Sequence, residues 1–173
     1  CEFCLSGRYN LCPDVRFMAS PPNDGALRRY LNYPAFMAFR LPEQVSTLEG
    51  AMIEPLAVGM YAAKRGEIGP GKTAAILGGG PIGMMTLLAC KAMGAAKILV
   101  TDLYDKRLQK ALALGADGAY NVKTCDAVQM VLDETAGQGT DVVFETAGSP
   151  VTMAQTPEFV KRGGVIVGVG NVT

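Results

Sequence analysis

The chain has 173 residues, with Lys+Arg 16 balancing Asp+Glu 16, no His, no Trp and 49% hydrophobic residues. Zero formal net charge argues against a general nucleic-acid binder or a membrane-surface protein. Charged or turn residues interrupt every apolar run before it reaches the roughly 18 residues of a membrane span.

The 21 Gly and the Val/Ile-rich segments favour a tightly turned α/β fold over disorder or a coiled coil. No signal or transit peptide is visible. The chain opens on Cys1 and stops soon after the apolar run 164–170, so it is expected to be an internal segment of a longer protein.

Two compositional regions meet near Ser46. Residues 1–45 carry three of the five Cys, the turn cluster 20–25 and short apolar pieces bounded by Pro34 and Pro42. They read as loops and short strands without a core of their own. Ser46-Thr47-Leu48-Glu49 has the form of a capping box, in which two side chains satisfy orphan backbone donors reciprocally. It predicts a connecting helix within 46–68, kinked at Pro55.

From residue 69 the chain alternates. Apolar runs at Thr73–Leu77, 97–101, 141–145 and 164–169 lack period-2 alternation, as expected of parallel strands buried on both faces. A weaker strand is expected at Gly118–Asn121. Helical periodicity fills 81–93, Asp105–Leu114, 126–135 and 152–161. Strands alternating with helices predict a doubly wound parallel sheet of the Rossmann type over 69–173.

Gly78-Gly79-Gly80-Pro81-Ile82-Gly83 satisfies G-x-G-x-x-G between a strand and a helix. Gly78 suits the tight turn, Gly80 lets the backbone approach a pyrophosphate, and Gly83 lets the helix pack on the strand. Pro81 fits the first helical turn, where a missing N–H matters little. The next strand runs into Asp102, about twenty residues past the fingerprint, where an acidic side chain binds the adenosine ribose hydroxyls.

A carboxylate about 4 Å from a phosphate meets a repulsion of about 4 kcal/mol per charge pair at an effective dielectric of about 20. NAD is therefore expected over NADP. Lys106 and Arg107 stand near enough to hold an extra phosphate, or they form a solvated helix start.

Cys1-x2-Cys4-x7-Cys12 places three thiols in one turn-rich segment. In a reducing compartment such clustering points to zinc, bound by four thiolates, with the fourth expected upstream. Cys90 and Cys125 fall in predicted helices and read as buried apolar residues. Glu54 is the only charge in 51–58. It is either half-exposed and inert, or it faces a cleft as a metal ligand, water holder or proton acceptor.

The Cys lobe, the segment Ile53-Glu54-Pro55-Leu56-Ala57-Val58-Gly59 and the turn Gly80-Pro81-Ile82-Gly83, in this order, resemble the zinc-dependent medium-chain dehydrogenase/reductase superfamily. Residues 7–25 and Val100-Thr101-Asp102-Leu103 are similar to its polyol (sorbitol and xylitol) dehydrogenase branch. The resemblance implies that residues 1–45 end a GroES-like catalytic domain and that a catalytic zinc lies beside the dinucleotide domain. Glu54 would face that zinc or its water, and Phe17 would line the polyol pocket. Ile82, Asp102 and Arg107 would contact NAD, with Val167, Gly168 and Val169 near the nicotinamide.

It also implies structural zinc on Cys1, Cys4 and Cys12, a cytoplasmic homotetramer and oxidation of a polyol to a ketose. The family's first catalytic zinc ligands, a Cys and a His, precede Cys1, so these residues alone are expected to be inert. Two alternatives remain at this stage. One is another zinc-dependent alcohol or amino-alcohol dehydrogenase, and the other is a non-catalytic dinucleotide-binding relative.

Overall fold

The computed structural model describes residues 1–172. The chain divides into two compact units, Cys1–Glu43 and Gln44–Thr173. The first unit holds one short helix, α1 (Glu2–Leu5), and two single 3-10 turns at Tyr9–Leu11 and Ala35–Met37. The short strands expected there are absent among the described residues. None of the residues 1–43 is fully buried, and no strand pairing forms among them.

The second unit begins with α2 (Thr47–Ala51). Its capping box forms as expected: Glu49 N–H donates to Ser46 Oγ, and the Ser46 N–H and hydroxyl both donate to Glu49. The helix then breaks at Met52, and α3 (Ile53–Arg65) starts afresh. The expected kink at Pro55 is thus replaced by a break three residues earlier. Pro55 ends up in the first turn of α3, where its missing N–H has no partner to lose.

The alternation after residue 69 folds as β1 (Thr73–Leu77), α4 (Pro81–Ala92), β2 (Lys97–Asp102), α5 (Asp105–Leu114), β3 (Gly118–Asn121), α6 (Ala127–Glu134), β4 (Thr140–Glu145), α7 (Pro150–Phe159) and β5 (Val160–Gly168). All strand pairs are parallel, in the order β3-β2-β1-β4-β5. The chain winds outward from β1 in one direction and then in the other, which defines the doubly wound fold and its switch point between β1 and β4.

The strands are apolar throughout because both faces are covered. Ile76, Val100 and Phe144 pack with Leu87 on the α3–α4 side, while Ala75, Leu77, Leu99 and Val143 pack with Val131 and Phe159 on the other. One boundary departs from the expectation: the helix predicted over 152–161 ends at Phe159, and its last two residues open β5. Strand β5 starts at Val160, which pairs with Thr140 four residues before the apolar run, and a register shift separates that pair from Val142 and Val165. Helix α7 keeps Pro157 inside it. The carbonyl of Met153, which Pro157 cannot reach with an N–H, accepts the Thr156 hydroxyl at 2.8 Å instead.

At the N-terminal edge of the sheet, Asp141 ties three strands together. It accepts the Thr73 N–H (2.8 Å) and hydroxyl (2.9 Å) and pairs with Lys161 and Lys72. Burial alone raises its pKa, but the Lys161 bond and the two Thr73 bonds overcome this and hold it at about 2, below the ordinary 3.8. A depressed carboxyl contributes stability that is complete above its ordinary pKa and is lost as pH falls through the folded value. Asp141→Asn is therefore expected to cost about 2 kcal/mol near neutral pH. The cost should shrink as pH falls from about 4 toward 2. Urea unfolding of both proteins across that range checks it, and equal stability at neutral pH would contradict the assignment.

Candidate dinucleotide cleft and zinc lobe

The C-terminal ends of the strands build one site. Strand β1 stops at Leu77, and Gly78 turns the chain at φ +107°, a conformation that favours glycine. Its N–H donates to the Thr101 carbonyl at 2.8 Å. Gly80 is the N-cap of α4, and no side chain caps that helix. A Cβ on Gly80 would meet nothing within 4 Å. Pro81 follows as the first helical residue.

Gly83 is buried beneath the turn, and a Cβ there would lie 1.9 Å from the Gly78 carbonyl oxygen. The turn and the helix can therefore approach this closely only with no side chain at Gly83. Uncapped N–H groups at a helix start, with open space above the N-cap backbone, fit a pyrophosphate.

Asp102 ends β2 with 6% of its surface exposed. Its Oδ2 accepts the Gly79 N–H at 2.7 Å and Arg107 Nη1 at 3.4 Å, while Oδ1 accepts the Tyr104 N–H at 2.9 Å. The carboxylate thus holds the glycine turn as well as marking the strand end. Three of its roughly four acceptor sites are occupied, which leaves Oδ1 able to accept one ribose hydroxyl. The Arg107 guanidinium lies 4.9 Å from the Tyr104 ring, and Lys123 lies 5.0 Å from the same ring. Positive charge therefore stands beside the carboxylate at this end of the site.

A cleft of about 850 Å³ opens over these residues, a volume suited to a cofactor. Gly78, Gly80, Pro81, Asp102 and Arg107 all line it. Ile82, half-buried in the first turn of α4, does not line it. Val167 and Gly168 lie in β5 beside Phe144 and Glu145, and Val169 N–H donates to the Glu145 carbonyl. These three also stay outside the lining.

The far wall comes from Thr146, Ala147 and Ser149 after β4, and from Cys125 in the turn after β3. None of these wall residues belongs to a motif legible in the sequence. Cys125, expected as a buried residue of a helix, is half-buried just ahead of the Asp126 N-cap of α6. The signal that could have found them is their position after parallel strands, since ligands bind at the carboxyl ends of such sheets. Thr146 fastens the wall to the turn: its N–H donates to Leu77 O at 2.9 Å, and its hydroxyl to Gly78 O at 2.8 Å.

In the first unit, the Sγ atoms of Cys1, Cys4 and Cys12 all lie within 4.8 Å of one another, with Cys1 and Cys4 3.6 Å apart. Sulfurs around tetrahedral zinc, at Zn–S of about 2.3 Å, stand about 3.8 Å apart, so the cluster fits that ion. Its hydrogen bond with Cys12 is the largest of the effects that hold the Cys4 thiol above its ordinary pKa. A cation among the sulfurs would reverse that effect. All five cysteines are free. Phe17, in the same unit, is 60% exposed. Glu54 is exposed in the first turn of α3, where its charge complements the helix dipole.

The signature of the zinc-binding dehydrogenases matches residues 81–173, more than half of the chain. The chain belongs to that family. It is 45% identical over 170 residues to the sorbitol dehydrogenase of Bacillus subtilis, covering 98% of this chain and 48% of that enzyme. An Escherichia coli oxidoreductase/dehydrogenase of unknown specificity superposes with a TM-score of 0.95 at 49% identity, over 99% of this chain and 50% of that one.

A Sinorhizobium meliloti protein described as a zinc-binding dehydrogenase, with NADP bound, superposes at 0.90 with 31% identity, over 98% and 50% of the two chains. This family member therefore spans about half the length of the relatives it matches. Among the described residues no helix is long and apolar enough to cross a membrane.

Proposed function

We infer that this chain is the dinucleotide-binding half, with the zinc lobe, of an NAD-dependent polyol dehydrogenase. The observation that carries the reading is Asp102, which closes the glycine turn, lines the cleft and keeps one acceptor site free for a ribose hydroxyl. Likeness to a sorbitol dehydrogenase supports the substrate class. When bound, zinc supplies a Lewis acid that lowers the pKa of the substrate hydroxyl, and NAD supplies the hydride acceptor.

The chain's own residues bind and orient. The α4 N-terminus would hold the pyrophosphate, Asp102 the adenosine ribose, and Ile82 and Arg107 its surroundings. Val167, Gly168 and Val169 would flank the nicotinamide side. Phe17 would line the polyol pocket, and Glu54 would hold the catalytic zinc or its water. The working protein would be a cytoplasmic homotetramer.

Full-length, zinc-loaded protein assayed with sorbitol, xylitol and simple alcohols, each with NAD and with NADP, tests the reading. Polyols and NAD should give the highest kcat/KM, and in the same assay Glu54→Gln should lower kcat while leaving NAD affinity intact. Turnover of simple alcohols alone would move the protein to the other zinc-dependent alcohol dehydrogenases, and NAD binding without turnover to the non-catalytic relatives.

Cys1, Cys4 and Cys12 would hold a structural zinc, with a fourth thiolate from outside this segment. Cys12→Ser in the full-length protein is expected to lower the zinc content by about one ion per chain, because such sites use four ligands. Metal analysis of both proteins checks it, and equal zinc in wild type and variant would remove the lobe from metal binding.

A further inference from the structure

Glu145 ends β4 with none of its surface exposed, yet it forms no wall of the cleft. Its Oε1 accepts three bonds, from the Ala147 N–H (3.0 Å), the Gly148 N–H (2.9 Å) and the Thr152 hydroxyl (2.6 Å). Its carbonyl oxygen accepts the N–H groups of Val169 and Gly170, both at 2.9 Å. Oε2 is buried without a hydrogen-bond partner, and a Cβ on Gly170 would lie 2.7 Å from it. One buried residue thus joins the turn after β4 to the turn after β5.

A buried carboxylate with one bare oxygen is a poor way to fill space, and an apolar side chain of that size would pack there without the desolvation cost. What the carboxylate supplies is geometry. Its three donors fix residues 147–152, and the cleft wall formed by Thr146, Ala147, Ser149 and Thr152 is built from the same turn and the first turn of α7. In a doubly wound sheet the two mononucleotide halves of a dinucleotide lie on opposite sides of the switch point. With Asp102 marking the β2 side for the adenosine half, the turn after β4 serves the nicotinamide half.

We propose that Glu145 is a positioning residue for the nicotinamide half of the cofactor, acting through the turn it pins and not by touching the ligand. The proposal rests on the reading of the cleft as a dinucleotide site. The test is calorimetric titration of the full-length, zinc-loaded protein with AMP, which fills the adenosine half alone, and with NAD, which fills both.

Glu145→Ala should raise the Kd for NAD about tenfold or more while the Kd for AMP stays within about twofold. Thr152→Val, which removes the shortest of the three bonds, should show the same pattern more weakly. Glu145→Gln keeps an oxygen at the Oε1 position and should recover most of the NAD affinity. If Glu145→Ala does not fold, the other two variants decide by the same ratio.

Parallel loss of AMP and NAD affinity would make Glu145 a residue of the fold alone and overturn the proposal, as would unchanged NAD affinity in Glu145→Ala or Thr152→Val. A wild type that binds neither ligand would overturn the dinucleotide reading itself, and this proposal with it.

Discussion

Gly83→Ala in the full-length protein is expected to destabilise the dinucleotide domain by about 3 kcal/mol, at the upper end of the usual overpacking cost, and to abolish NAD binding. In an ordinary helix the same change stabilises by roughly 0.5–1 kcal/mol, because alanine is the better helix former. The sign reverses here because the new methyl would sit 1.9 Å from the Gly78 carbonyl and 3.0 Å from Thr146 Oγ1. That hydroxyl already donates to the same carbonyl. Relief requires moving backbone at the switch point, where β1, α4 and the turn after β4 meet. Urea unfolding and NAD titration on one preparation decide it, and a variant as stable as wild type with NAD affinity retained would show that the close crossing is not required.

Asp102→Ala is expected to weaken NAD binding by about 1.5–3 kcal/mol, the range for hydrogen bonds to a charged group. Two losses combine. The ribose would lose its acceptor, and the Gly79 and Tyr104 N–H groups would lose theirs. NADP affinity should fall less, since removing the carboxylate leaves the Arg107 and Lys123 cations beside Tyr104 to meet a phosphate. The variant's preference for NAD over NADP should therefore narrow. Unchanged affinity for both would take Asp102 out of the site.

The sheet was legible in the sequence because buried parallel strands are short apolar runs between glycine turns and helical periodicity. Thr73–Leu77, Gly118–Asn121 and Asp105–Leu114 have the same bounds in the structure. Strand β5 was not fully legible. It begins with Val160, Lys161, Arg162 and Gly163, ahead of the apolar run; the last three carry no apolar signal, and only the pairing of Val160 with Thr140 places this stretch in the strand.

The break at Met52 was equally hidden. A proline marks a disrupted helix, but the disruption is harmless once the helix restarts so that Pro55 falls in its first turn.

Half of the cleft followed from the glycine spacing and Asp102. The rest depends on long-range pairings. The bond from Gly79 to Asp102 joins residues 23 apart, and the bonds from Thr146 to the β1 turn join residues 68 and 69 apart. Only the strand order brings them together. Glu145 read as the polar end of a strand, and its burial against Gly170 belongs to tertiary packing alone.

The most direct measurement is a crystal structure of the full-length protein with NAD. The adenosine ribose is expected within hydrogen-bond distance of Asp102, the pyrophosphate on the N–H groups at the start of α4, and the nicotinamide half along the turn after β4. A cofactor bound elsewhere, with the cleft over Gly78, Gly80 and Asp102 still empty of it, would contradict the account.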